Sequence, residues 1–179
     1  MNIRLVHFKS IGGSAVAEVV IMAAMLVFVV FPLFSSVVER YVLLDKARLI
    51  KDSADLTNIS VYNALDAENL GKVKVELSDA KAYGIFEELL SRNLRLDGGL
   101  NPEDGSVAEA KVEILSLAIY KEGFPKVCPN GSIIVRPAVH SSINVPVRPS
   151  LYRDIILNLL GRDHIDAVVH VDSEIPVNN

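Results

Sequence analysis

Hydrophobic and polar residues are spread very unevenly along this chain. From Val19 to Phe34 no side chain carries a charge, and the uncharged run continues to Val38, twenty residues in all. A helix of about that length crosses a hydrocarbon core ~30 Å thick. A secretory signal has an apolar region of only about 7–15 residues, followed by a small-residue cleavage site. Here the run is longer, and Ser35-Ser36 is the nearest approach to such a site. The pattern therefore predicts a transmembrane helix over 14–38 that stays in the mature protein. Pro32 interrupts the run. It removes a backbone donor and crowds the preceding turn, but membrane helices re-satisfy the freed carbonyl, so a kink is expected there rather than an end.

The helical pattern continues past the membrane. Leu43, Ala47, Ile50, Ala54, Thr57, Val61 and Leu65 recur at steps of three and four, one apolar stripe. Asp45, Lys46, Arg48, Lys51, Asp52 and Asp55 occupy the rest of the circumference, and no Gly or Pro falls between Val38 and Gly71. Residues 39–70 are thus expected to prolong the helix outside the bilayer, its stripe covered by the head domain or by a neighbouring subunit. Residues 71–179 are expected to form that head. Gly71 to Leu77 alternates apolar and charged residues, as an edge strand or a linker would. Ser78-Asp79 offers N-cap chemistry, and Ala82, Ile85, Phe86, Leu89, Leu90 and Leu94 follow at helical spacing until Asp97-Gly98-Gly99.

Val107 to Lys121 then reads as a long strand, with Val112, Ile114, Ala118 and Tyr120 on one parity. Turn residues at Glu122-Gly123-Phe124-Pro125 and Cys128-Pro129-Asn130-Gly131 lead into a returning strand over 133–135 and 139–147. Pro137, Pro146 and Pro149 favour an edge position for it. Leu151, Ile155, Ile156, Leu159 and Leu160 make a short helix stopped by Gly161, and a last strand runs from His164 to Asp172. The expected fold class is α+β: a long N-terminal transmembrane helix continuing into a small domain of about three antiparallel strands and two short helices.

Charge adds an orientation. Arg4, His7 and Lys9 precede the helix with no acid among them, whereas Glu39-Arg40 opens the far side. The positive-inside rule then keeps the N-terminus cytoplasmic and the C-terminal domain extracytoplasmic, in a single-pass protein of the cell membrane. The formal net charge is −4, and losing Arg4 and Lys9 with a leader over 1–13 would take it to −6. With no basic block, nucleic acid is excluded as a partner.

Candidate chemistry is sparse. His164, Asp166, His170 and Asp172 share one parity of the last strand, and imidazole with carboxylate is a divalent-metal donor set. The two His-x-Asp pairs lie about 20 Å apart along the strand, however, so the simpler reading is a solvated face, and neither a metal nor a cofactor is expected. Cys128 is the one cysteine, which rules out an intramolecular disulfide, and no basic residue stands closer to it than Lys126. His140 with Ser141-Ser142 suggests a hydrolase only weakly, since no Gly-x-Ser-x-Gly elbow occurs. The glycines at 98, 99 and 105 follow a helix, the wrong order for a phosphate cradle. The chain is expected not to be an enzyme.

Two features of the N-terminus remain. Glu18 is a lone carboxylate at the start of the apolar run, and such an acid costs ~2.5–3.5 kcal/mol at the centre of a membrane helix. Gly12-Gly13 stands between the basic leader and the helix. A basic leader ending in Gly, a small residue, Glu at the fifth position and then an apolar helix resembles a class III, prepilin-type signal. The layout of a helix running into a small α+β head resembles the TadE-like branch of the Tad (Flp, type IV-like) pilus proteins. The resemblance implies cleavage by a prepilin peptidase between Gly13 and Ser14, with the helix retained. It also implies pairing of Glu18 with the freed amine of Ser14 in an adjacent subunit, and assembly with other pilin-like subunits and a membrane platform. Ser14 stands where type IV pilins commonly have Phe, and Val19 where major Flp pilins have Tyr, which points to a minor, pseudopilin role.

Three functions are open on this reading. The first is a pseudopilin-like structural subunit of a pilus or secretion assembly. The second is a single-pass anchor carrying an extracytoplasmic binding domain unrelated to pili. The third, a membrane-tethered hydrolase, has no residues to support it. Cleavage after Gly13 separates the first two.

Overall fold

A computed structural model of the chain describes residues 12–69 and 79–174. Arg4, His7 and Lys9 of the leader, the alternating segment from Gly71 to Leu77, and Ser78 lie outside the described residues. The chain divides into two compact units, Met1–Tyr41 and Val42–Asn179.

The first unit is helical wherever it is described. Helix α1 (Gly12–Met25) passes into a π-helical turn, Leu26–Val30, and then into α2 (Phe31–Asn69). In the π turn the Phe31 N–H reaches back to the Leu26 carbonyl, five residues away. Pro32 follows at once and explains the widening: its ring crowds the turn before it and it has no N–H to offer. A kink was expected at Pro32; what stands beside it is a π turn on its N-terminal side. From Ala15 to Ala64 the helix is long and apolar enough to cross a membrane.

The second unit is a two-layer α+β domain. Strands β1 (Glu113–Tyr120), β4 (Ala138–Val147) and β5 (Ile165–Glu174) form an antiparallel sheet in the order β1-β4-β5. Strands β2 (Lys126–Val127) and β3 (Ile133–Ile134) form a separate small ribbon. One sheet face is covered by α2 and by α3 (Asp79–Leu94). The stripe predicted on α2 is the one buried: Ile50, Ala54, Thr57 and Val61 are fully inaccessible. They meet Ala82, Phe86, Leu90 and Leu94 of α3 and Ile143, Val145, Val147 and Val171 of the sheet in a single core. Asn58 enters the same layer. Its Nδ2 donates to the carbonyls of Val139 (3.2 Å) and Val171 (3.3 Å) and to Ser173 Oγ (3.0 Å), tying the helix to two strands.

Several boundaries differ from the sequence expectation. Helix α3 ends at Leu94 rather than at the glycines, because Arg95 takes a left-handed conformation (φ 55°) and the Leu96 N–H bonds back to Ser91 at 2.7 Å. That is a Schellman ending with arginine in the usual glycine position. Residues 107–112 are not strand. The alternation also slips inside β1, because Ile114 pairs with Ile143 and Ser116 with Ser142, leaving Leu115 as a bulged residue. Ile114 therefore faces the helices while Ala118 and Tyr120 face away, although all three share a parity. The largest difference is β4, which is central and not an edge. Pro146 is tolerated there because its carbonyl accepts from the Glu109 N–H, so its nitrogen points to the β1 side, where the ladder has already ended at Glu113–Asn144. Helix α4 (Arg153–Leu160) ends as expected at Gly161, which adopts φ 62°.

Candidate functional site

The sheet face turned away from the helices carries the described polar residues with the most chemistry. Register fixes which ones meet, since residues directly opposite on paired strands point the same way. Three successive rungs run across β1, β4 and β5: Ser116–Ser142–His170, Ala118–His140–Asp172 and Tyr120–Ala138–Glu174. The β2–β3 ribbon folds over the last two, packing Cys128 and Ile134 with Ala138, Tyr120 and Phe124. Between its short strands the Cys128 N–H donates to the Ser132 carbonyl and the Gly131 N–H to the Cys128 carbonyl, both at 2.9 Å. This turn aims the Cys128 thiol and the Asn130 amide at the sheet.

Four side chains converge there. His140 Nδ1 lies 2.6 Å from Asp172 Oδ1. Asn130 Nδ2 donates to Asp172 Oδ2 at 3.2 Å, and the Cys128 thiol approaches the same oxygen at 3.6 Å. The thiol also meets Asn130 Oδ1, which accepts in addition from the Ser132 N–H at 3.0 Å. On the other side of the imidazole, Nε2 faces Ser116 Oγ at 3.4 Å, and the His170 ring stacks on it with centroids 6.4 Å apart. His140 is fully buried, and the Asp172 side chain is only 18% exposed. One ligand atom from each of Cys128, His140 and Asp172 falls within 4.8 Å of the others.

Electrostatics follow from this packing. Burial pushes the Asp172 carboxyl up, but hydrogen bonds from His140 and Asn130 outweigh it and hold the group below its ordinary value of 3.8. Tyr120 moves the other way. Its burial first, and then the neighbouring Cys128 and Asp172, raise the phenol above 10.0. The site thus favours a carboxylate anion with proton donors gathered round it. Ser116, His140 and Asp172 also stand in the order hydroxyl, imidazole, carboxylate. The 3.4 Å gap to Ser116 is long for the hydrogen bond that a nucleophilic relay needs.

The residues singled out in the sequence are distributed differently. Of the strand face considered for metal, only Asp172 joins the cluster. Asp166 sits at the opposite end of β5, engaged with His164 (3.4 Å), Arg162 (3.6 Å) and Asn144 (3.3 Å), and His164 precedes the strand. His170 stacks on His140 from the neighbouring rung. Cys128 and His140, weighed separately in the sequence and set aside, are the other members. No local pattern joins 128, 140 and 172, because only the β4–β5 register and the ribbon's fold-over bring them together. At the N-terminus, Gly13 and Ser14 lie in the first turn of α1, with Glu18 a turn further on. Every side chain from Ala15 to Phe34 is exposed.

The fold is that of an α+β protein which has, among the described residues, one helix long and apolar enough to cross a membrane. Comparison with protein-family models, with curated proteins and with solved structures finds no match.

Proposed function

We propose that this chain is a pilin-like (pseudopilin) structural subunit of a Tad or type IV-like pilus or secretion assembly, anchored by its N-terminal helix. One observation carries the reading. A helix that begins at Gly12 and takes in Gly13 and Ser14 exposes every side chain from Ala15 to Phe34, and Glu18 is the sole charge among them. In water so large an apolar surface would be untenable, so lipid covers it first and other apolar helices can replace the lipid later. Lipid tails are as apolar as these side chains, so helix association in a membrane depends on close packing and on polar pairs. An acid at the mouth of the span supplies such a pair when the freed Ser14 amine of an adjacent subunit meets it.

The head domain is extracytoplasmic in this scheme, and the prepilin peptidase acts on the cytoplasmic side. Determination of the N-terminus of the chain purified from membranes containing that peptidase tests the proposal. The mature chain is expected to begin at Ser14, and Gly13→Leu should block processing without preventing membrane insertion. Intact Met1, or a cut beyond Ser36, overturns it and leaves a plain anchored binding domain.

A further inference from the structure

We propose that Cys128, His140 and Asp172 form a zinc site that clips the β2–β3 ribbon to the sheet. The inference does not depend on the pilin-like reading, because it concerns only the outer face of the sheet. Zinc bonds of about 2.0–2.3 Å place tetrahedral ligand atoms roughly 3.3–3.8 Å apart. The thiol and Asp172 Oδ2 already stand 3.6 Å apart, and all three ligand atoms lie within 4.8 Å, so shifts of about an ångström close the set. The donor types select the metal. One sulfur, one imidazole nitrogen and one carboxylate oxygen suit a borderline-soft cation, whereas calcium and magnesium require oxygen throughout and copper(I) disfavours carboxylate. Asn130 Oδ1, held against the thiol by the turn, is the nearest fourth donor, with water as the alternative.

Proton positions can accommodate the ion. The thiol loses its proton to solvent when zinc binds, since the thiolate is the ligand. His140 can ligate through Nδ1, the nitrogen that faces Asp172, in the tautomer that carries a proton on Nε2. There Ser116 Oγ, at 3.4 Å, becomes the acceptor that fixes the tautomer. The ribbon has reason to need such a clip. Each of its strands is two residues long, its own core is Cys128, Ile134 and Ala138, and its outward residues Val127, Ile133 and Val135 are more than half exposed. An isolated two-stranded hairpin is marginal in water. A metal bond across the fold-over would hold this apolar tip in one orientation on the sheet.

The test uses the full chain in detergent, stripped with chelator and titrated with Zn2+ or with Co2+ as a spectroscopic stand-in. One equivalent is expected to bind, with the intense near-ultraviolet band of a cobalt–thiolate bond. Cys128→Ser should abolish that band, and Asp172→Asn should weaken binding at least ~10-fold. His164→Ala and Asp166→Asn, at the other end of β5, should leave both unchanged. Because Cys128→Ser could disturb the ribbon, a measurement on the unmutated chain stands beside it: Zn2+ should slow alkylation of Cys128 by iodoacetamide. Cobalt bound without a thiolate band, an alkylation rate indifferent to Zn2+, or binding lost with His164 and Asp166 overturns the proposal.

Discussion

Asn58 offers the most exacting test of how the helix layer is held to the sheet. It is fully buried, and its Nδ2 spans two strands by donating to Val139 O, Val171 O and Ser173 Oγ at 3.0–3.3 Å. Asn58→Asp changes almost no volume but replaces the donor by an acceptor. The two N–H groups that these three acceptors share disappear, each hydrogen bond contributing about 0.5–1.5 kcal/mol net. A carboxylate then faces two carbonyls, with Asp55 sharing the Ser173 hydroxyl at 2.5 Å. A buried charge without its partner costs about 3–5 kcal/mol. The two losses overlap, so a deficit of ~4 kcal/mol near neutral pH is expected, equivalent to a fall in Tm of about 10 °C or more.

The deficit has a pH signature. A carboxyl in these surroundings has its folded pKa raised above the unfolded value, so between the two the native state binds the extra proton. The loss is complete above the folded pKa and shrinks as pH falls toward the ordinary carboxyl range near ~4. The assay is urea unfolding of the detergent-solubilised chain, followed by tyrosine fluorescence, since the chain has five tyrosines and no tryptophan. A variant within ~1 kcal/mol of the parent at pH 7, or an equal deficit at high and low pH, would show that Asn58 is not the tie described.

Two further outcomes test separate parts of the molecule. Glu18→Gln should insert into the membrane at least as well as the parent, because a charge no longer has to be desolvated. Its cross-linked complexes with like subunits should fall, reflecting ~3–5 kcal/mol for an ammonium group left without its counter-charge. Unchanged complex yield at equal membrane levels would reject the pairing. Asp97 closes the loop after α3 by accepting from the N–H groups of Gly99 and Asn101 (both 2.8 Å) and from the Asn101 side chain. The Asn101 side chain first, and then the Asn101 and Gly99 backbone, hold its carboxyl below 3.8. Its stabilising contribution is therefore present above 3.8 and lost as pH falls through the lower folded value. Asp97→Ala should unfold more readily at pH 7 and converge with the parent in acid, whereas a pH-independent gap would contradict that role.

Much of this architecture was legible in the order of residues. The apolar run from Val19 to Val38 allows a helix fit for a membrane, because its uncharged length matches a bilayer. The steps of three and four from Leu43 to Val61 marked the buried face of α2, since helix geometry alone puts those positions together. Three antiparallel strands and a head packed on the stripe of α2 were expected and are found, but the finer placement of particular neighbours was not legible. Alternation could not reveal the bulge at Leu115, because a bulge exists only relative to a partner strand. Three prolines suggested an edge strand, yet β4 is central because Pro146 directs its nitrogen beyond the end of β1. Nothing in the sequence singles out Asn58; its role exists only because the strand carbonyls of Val139 and Val171 stand opposite it. The cluster of Cys128, His140 and Asp172 is the extreme case. Composition and helical period act between near neighbours in sequence and so belong to the chain itself. A site assembled from a turn, a central strand and an edge strand belongs to register and fold-over, and only the tertiary structure decides those.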